Sequence, residues 1–440
     1  MPAPLAPDAS PARPIVHVVV QQHAEESAML RHVRSVLVRA PHVALLHLGR
    51  LDERIAAHLD GLAVAGPAGT ALCLQALERP GAGEVFALAV RAIESRDLRL
   101  FDHVLALVPA LPDAARGVAS ALGWVSAAEL QGVVRQLLAS AQPHQRALGL
   151  AACRMHRVDP GPVLSAALAD PTPEVRAAAL RAAGELGRLD LLEPARRAIA
   201  DDHPAVVFQA ASAACLLGDR KSSLRVLSAA AQQRSPWSIA ALSLAMAAST
   251  PGQAGELARA LSKAAQDAPA DREQRRHLVR ALGLLGDSRF VPWLIERMAE
   301  PEMARLAGES FSVLTGADLA RQDLETLTPP VLPETPSDDP EDDDVALDED
   351  DSLPWPDVDK VLAWWSGQAA LQAAATAGRR LFDGAIVSPA IAARVLREGT
   401  QRRRAHAAQL ACALEPGRPL FQIAAPVPRQ RRWLATSAAG

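Results

Sequence analysis

The 440-residue chain contains no tyrosine, and aromatic residues make up only 3 % of it. Strands draw on aromatic and β-branched side chains to fill half-buried surfaces, so this scarcity weighs against a sheet-based fold. Lysine is nearly absent: Lys221, Lys263 and Lys360 are the only three, and arginine supplies the rest of the 46 basic residues. Either GC-rich coding or an arginine-rich docking surface accounts for that bias, since guanidinium forks suit carboxylates. A net charge of -4 removes any global pull toward nucleic acid or an anionic membrane. The four cysteines, Cys73, Cys153, Cys215 and Cys412, are too widely separated for a CxxC redox or zinc pair, and read as small buried residues of a reducing compartment. No apolar run approaches the length of about 18 residues that a membrane helix needs. The opening "MPAPLAPDASPARP" lacks the basic start and apolar stretch of a signal peptide, so a cytoplasmic location is expected. Walker, GxGxxG, GxSxG and HExxH motifs are all missing, and no cofactor is implied.

What is present is alanine, leucine and arginine in a repeating order. The stretch "DPTPEVRAAALRAAGELGRLD", residues 170–190, sets an acid-proline turn before a helix of small residues. Pro173 and Pro204 open matching segments 31 residues apart, and Gly187 and Gly218 close them at the same interval. Related segments start at Pro143, Pro236, Asp271 and Pro301, and Arg146 precedes Arg176 by 30 residues. A period near 30 held through six units is the mark of a solenoid. In each unit a proline opens a helix where its missing N–H costs nothing. Val175, Ala179, Ala182, Ala183 and Leu186 then recur at helical spacing, and glycine ends the helix. A second helix follows, such as "LLEPARRAIAD" from Leu191. One such pair cannot bury its apolar face alone, but stacked pairs form a continuous core. The unit at 236–268 is the weakest, because it lacks the turn glycine.

The pattern resembles the short bacterial HEAT repeat. It predicts an all-α protein: a HEAT-like α-solenoid with a helical N-terminal domain and a helical C-terminal cap. The expected order is a disordered start over 1–14, a helical domain over 15–140, repeats over 141–321, an acidic proline-rich loop over 322–356 and a basic helical region over 357–440. In the N-terminal domain "HAEESAMLRHVRSVLVRAP" should bury Met29, Val33, Val36 and Leu37 and turn Arg31 and Arg34 outward. A second helix should bury Leu48, Leu51, Ile55 and Leu59 and end at Gly61. The run "IVHVVV" fits either a strand or the approach to a helix.

Ten acidic residues lie between Asp338 and Asp351. A like-charge block with prolines should stay solvated, and it lacks the glycine and terminal glutamate of a calcium loop. From residue 352 onward the sign reverses, with 12 basic and five acidic residues. Trp364, Trp365 and Trp433 also gather there, which fits either a cap on the solenoid or a binding block rich in hot-spot residues. The candidate protein-binding residues are therefore Arg31, Arg34, Trp364, Trp365, Arg402, Arg403, Arg404, Arg429, Arg431, Arg432 and Trp433.

Beyond the repeats, "QQHAEESAMLRHVRSVLVRAPHVALLHLGRLDERIAAHLDGLAVAG", "VPWLIERMAEPEMARLAGESFSVLTGADL" and "LREGTQRRRAHAAQLACALEPGRPLFQIAAPVPRQRRWL" are similar to blocks of a proteobacterial HEAT-repeat family without an assigned activity. Its members are often encoded beside type VI secretion genes. The resemblance implies an accessory adaptor or chaperone whose protein partners include spike-tip or effector components, with no catalytic residue to carry over and no membrane. Two other readings compete. A nucleic-acid-binding solenoid would use the patch Arg272, Arg275, Arg276 and Arg280, but it wants a continuous basic stripe. A metal-dependent enzyme would use His23 and Glu26 with His42, His47 or His58, whose spacing matches no known ligand pattern.

Overall fold

The computed structural model describes residues 15–328 and 350–436. The expected disordered start and most of the acidic block lie outside the described residues. The chain divides into two compact units, one made of residues up to Ser35 with Arg50–Gln131, the other of Val36–Gly49 with Gly132 onward.

The first unit takes α1 (His17–Leu37) up to Ser35, α2 (Leu45–Val64) from Arg50, α3 (Pro67–Ala76), α4 (Ala82–Glu94), α5 (Leu98–Ala106) and α6 (Pro112–Trp124). The "IVHVVV" run enters α1 as helix from His17. Its central helix is α4, in which Gly83 and every residue from Val85 through Ile93 are buried. Small residues set the crossings: a Cβ on Gly83 would fall 2.4 Å from the Ala28 carbonyl oxygen, and one on Gly117 would fall 2.7 Å from Val85. That close approach corrects the expected face of α1. Met29 and Val36 are 59 % and 52 % exposed, and the buried side chains are Val20, Ala24, Ser27, Ala28 and Leu30. Leu48, Leu51, Ile55 and Leu59 are buried as expected. Gly61 does not end α2, which runs on to Val64; the glycine makes room for the His23 ring, 2.4 Å from where a Cβ would stand.

The second unit is an all-α solenoid. Its helices run α7 (Val133–Leu138), α8 (Pro143–His156), α9 (Pro162–Ala167), α10 (Pro173–Leu186), α11 (Leu192–Ala198), α12 (Pro204–Leu216), α13 (Ser222–Ala231), α14 (Ser238–Ala248), α15 (Pro251–Asp267), α16 (Arg272–Leu285), α17 (Val291–Arg297) and α18 (Pro301–Thr315). The unit takes up the chain again from Gly132, and α7 packs under Gly149 of α8. The even-numbered helices from α8 to α18 are the first members of each pair and stack on one another. Five of these six start as the repeat pattern requires; α14 starts two residues after Pro236. The alanines are the contact. A Cβ on Gly184 of α10 would sit 2.6 Å from the Ala213 Cα of α12, so only small residues permit this spacing. Where the turn glycine is missing, Thr250 caps α15 instead, accepting from the Gln253 N–H with Pro251 in the first turn.

The chain then continues through α19 (Val358–Ser366), α20 (Ala369–Thr376), a two-stranded hairpin β1 (Leu381–Phe382) and β2 (Ala385–Ile386), α21 (Pro389–Glu398), α22 (Gln401–Leu414) and α23 (Val427–Thr436). The hairpin is a small departure from the expected all-helical cap.

Candidate protein-binding site

Two arginines one repeat apart bridge successive turns at the start of the solenoid. Arg146 makes a bidentate pair with Asp170, at 3.0 and 3.1 Å, and donates from Nη1 to the Ser140 and Ala141 carbonyls. Arg176 repeats this one unit later, pairing with Asp201 and donating to the Asp170 and Pro171 carbonyls. Each arginine thus clasps the turn before its own helix and the aspartate of the following turn. Burial would raise the Asp170 carboxyl, but the Thr172 N–H and Arg146 outweigh it and hold it below the usual range. The 30-residue Arg spacing is visible in sequence; the aspartate partners 24 and 25 residues downstream are what sequence reasoning missed.

The edge where the first helices end is covered by the chain's own C-terminal region. This strap runs back along all six helix ends. The Asp383 and Gly384 N–H groups donate to the Val313 and Leu314 carbonyls at the end of α18, and the Leu381 N–H donates to Gly286 O at 2.7 Å. Arg380 donates to Met246 and Ser249 at the end of α14 and to Leu284 and Leu285 at the end of α16. Arg220, just after α12, reaches the Ala413 carbonyl. At α10 the Leu420 N–H donates to the Glu185 carbonyl, and at α8 Arg157 donates to the Leu420 carbonyl. The turn glycines are therefore needed twice. Gly187, Gly286 and Gly316 have φ near 75°, at 75°, 73° and 74°, and a Cβ on each would run into strap backbone within 2.8 Å.

Glu185 is the tie point. Its buried carboxylate accepts from Arg154 at 2.7 Å, Arg181 at 2.6 Å and the strap residue Gln422 at 2.5 Å. Burial opposes the charge, yet Arg154 and Arg181 pull the carboxyl down to about 2.

This architecture decides where the sequence-selected residues go. Arg31 donates to Ser120 and the Arg116 carbonyl, and Arg34 pairs with Asp52 at 2.6 Å beneath the Trp124 ring, so both serve the interior of the first unit. Arg402 pairs with Glu309 and Arg403 with Asp383, each at 2.7 Å. Arg404 is fully buried, bonded to the Leu396 carbonyl, Gln401 and Gln430, and burial pushes it down to about 10. Arg429 and Trp365 are also buried. Trp364 packs edge-on against Phe311, and Trp433 lies over the Arg157 guanidinium at 4.3 Å. Burial thus takes Arg404, Arg429 and Trp365 off any accessible surface, a correction to their place among docking residues. Arg431 and Arg432 remain exposed. The acidic segment's described end is bound too: Asp350 is buried against Arg276, and Arg305 stacks on Trp355.

The candidates for chemistry do not assemble. His23 and His58 meet at 3.1 Å through their Nδ1 atoms, but His42 and His47 belong to the other unit. Among the described residues no group of three or more His, Cys, Asp or Glu side chains could hold a metal. Ser243 contacts His406, but that imidazole is buried against Phe382, and burial first, then Arg380, pushes it down to about 3. It has no access to a substrate. The basic patch is not an open stripe either: Arg275 pairs with Glu302 and Arg276 with Asp350.

A concavity lies beside the weak repeat. A cavity of about 640 Å³ lies between α15, α16 and the start of α17. Leu278, Leu282, Leu285 and Ala258 give it apolar walls, with Phe290 and Trp293 at one end. Exposed Glu256, Arg259 and Arg379 stand at its mouth, and Arg380 contributes to its lining. The α15 helix that forms one wall is 17 residues long, longer than α9, α11, α13 or α17.

Residues 161–248 match the family described as HEAT repeats. The chain carries HEAT repeats. No curated protein matches it. A crystal structure of an engineered protein is similar to it at 14 % identity, over 67 % of this chain and 94 % of that one, with a TM-score of 0.32. Among the described residues no helix is long and apolar enough to cross a membrane.

Proposed function

We propose that this HEAT-repeat chain is a non-enzymatic protein-binding scaffold whose docking site is the cavity between α15 and α16. The observation that carries this reading is the cavity itself: beside the strap residues Gly378, Arg379 and Arg380, the apolar walls of α15 and α16 and the exposed Arg259 and Arg379 meet in one concavity. Extended repeat surfaces suit protein recognition, and hot-spot side chains of a partner bind in well-packed, desolvated pockets.

The finer reading is an accessory adaptor or chaperone for type VI secretion, acting on spike-tip or effector proteins. It rests on the likeness of the long N- and C-terminal sequence blocks. Affinity capture of the tagged chain from its native cells, followed by mass spectrometry, tests it. Recovery of spike, tip or effector proteins is expected. Recovery of nucleic acid or a metal without those proteins would defeat the adaptor reading.

A further inference from the structure

Resting on the scaffold reading, we infer that the α15–α16 cavity takes a partner-protein segment that combines large apolar side chains with carboxylates. The walls demand the apolar part. The lining charges demand the acidic part: four arginines, Arg259, Arg289, Arg379 and Arg380, stand against only Glu256 and Asp287. Arg289 is already matched by Asp287 in a bidentate pair. Arg259 and Arg379 are exposed and form no ion pair among the described residues.

Arg380 is the most telling of the four. Its Nε and Nη atoms donate to four carbonyl oxygens, those of Met246, Leu284, Leu285 and Ser249. Carbonyl dipoles satisfy the donors but cancel no net charge, and a guanidinium has five N–H groups, which leaves one on Nη1 without a protein acceptor. A half-buried cation without a counter-ion still carries a desolvation cost, and a carboxylate arriving at the cavity would lower that cost. The same carboxylates would reach Arg259 and Arg379 at the mouth, where guanidinium forks favour bidentate pairing. A basic or uncharged apolar segment would leave the surplus positive charge unmatched.

The test uses the full chain and a fluorescein-labelled amphipathic peptide with leucines at helical spacing and glutamates on the flanking face. Two control peptides replace every glutamate by glutamine or every leucine by serine. Anisotropy titration should show binding of the leucine–glutamate peptide, about tenfold weaker binding of the glutamine version, and a loss with added salt. The double variant Arg259→Glu/Arg379→Glu should reverse the preference. Gly255→Trp should block the cavity: a Cβ there meets only the Arg259 side-chain tip at 3.7 Å, so the helix accepts the change. Thermal melts confirm that both variants fold. Equal affinity for the glutamate and glutamine peptides, undiminished binding by Gly255→Trp, or no binding of any peptide would each overturn the inference. Native-cell capture separates this from the scaffold reading. If wild type and both variants capture the same partners, the scaffold stands and the cavity is not its site; if wild type captures none, the scaffold reading itself falls.

Discussion

Replacing Gly187 by alanine tests whether the strap is seated on the repeat turns. The residue has φ 75° as the left-handed cap of α10, and an added Cβ would lie 2.1 Å from the Gly417 carbonyl oxygen. Two costs should therefore add. The left-handed backbone costs an L-residue about 1 kcal/mol. The clash must also push the 417–420 segment away from α10, stretching the bond from the Leu420 N–H to the Glu185 carbonyl, now 2.9 Å. Losing that bond adds about 1 kcal/mol, with more if Gln422 leaves the buried Glu185 carboxylate. The total is about 2–3 kcal/mol. Gly378→Ala is the control: its φ is 63°, but nothing lies within 4 Å of its Cβ position, so it should cost only the backbone term. Urea melts give the two penalties, and hydrogen exchange at the Leu420 amide reports the strap directly. If both variants lose the same stability and the Leu420 amide stays protected in Gly187→Ala, the strap does not rest on that turn and the reasoning fails.

Three further outcomes follow from named groups. Glu185 has its carboxyl lowered to about 2, so its contribution is present above the ordinary glutamate value and is lost as pH falls toward 2. Glu185→Gln should therefore melt well below wild type at pH 7, with the gap closing in acid; a gap independent of pH would contradict this. Glu94 runs the other way, because burial and then Glu129 raise it to about 7. The folded state holds its proton between the ordinary value and 7, so stability declines as pH rises through that window, and Glu94→Gln should raise the melting temperature at pH 8. An unchanged or lower melting temperature would count against it. Gly61→Ala should force the His23 ring away from His58. The His58 pKa, lowered by burial and then by His23, should move back up in an NMR titration; no movement would mean that His23 is not the neighbour that matters.

The parts of the solenoid that could be read from sequence are those in which a residue type answers a local backbone requirement. Pro173, Pro204 and Pro301 open helices because proline suits the first turn, and Gly187, Gly286 and Gly316 close them because their φ is positive. Contacts that depend on stacking were only half visible. Arg146 and Arg176 stand out by their spacing, but Asp170 and Asp201 become their partners only when successive turns are brought together. The face of α1 was misjudged for a related reason. Hydrophobicity singles out Met29 and Val36, whereas the crossing with Gly83 selects Ala24, Ser27 and Ala28 for size. Nothing in the sequence marked the α15–α16 cavity beyond the missing turn glycine, because its walls come from segments more than 100 residues apart, Pro251 to Arg380, that only folding brings together.

The basic C-terminal region was the hardest to interpret because most of what it binds has no side chain to leave a trace. Six helices end along one edge of the solenoid, and each presents unsatisfied carbonyls and the negative end of its dipole. The strap meets that edge with its Leu381, Asp383, Gly384 and Leu420 N–H groups and with Arg380, while Arg402 and Arg403 of "RRRAHAAQL" find their carboxylates within the chain, at Glu309 and Asp383. Arg380 shows what arginine offers such an edge. An ammonium is a compact point charge, whereas the planar guanidinium of Arg380 spans the ends of α14 and α16 and satisfies four carbonyls at once. By the same logic Arg380→Lys is not conservative: lysine has three donors for four acceptors and lacks the fork that bridges two helix ends. The same geometry that makes Arg380 a clasp leaves its charge uncompensated beside the α15–α16 cavity, so the device that locks the strap in place also sets the sign of what the cavity can accept.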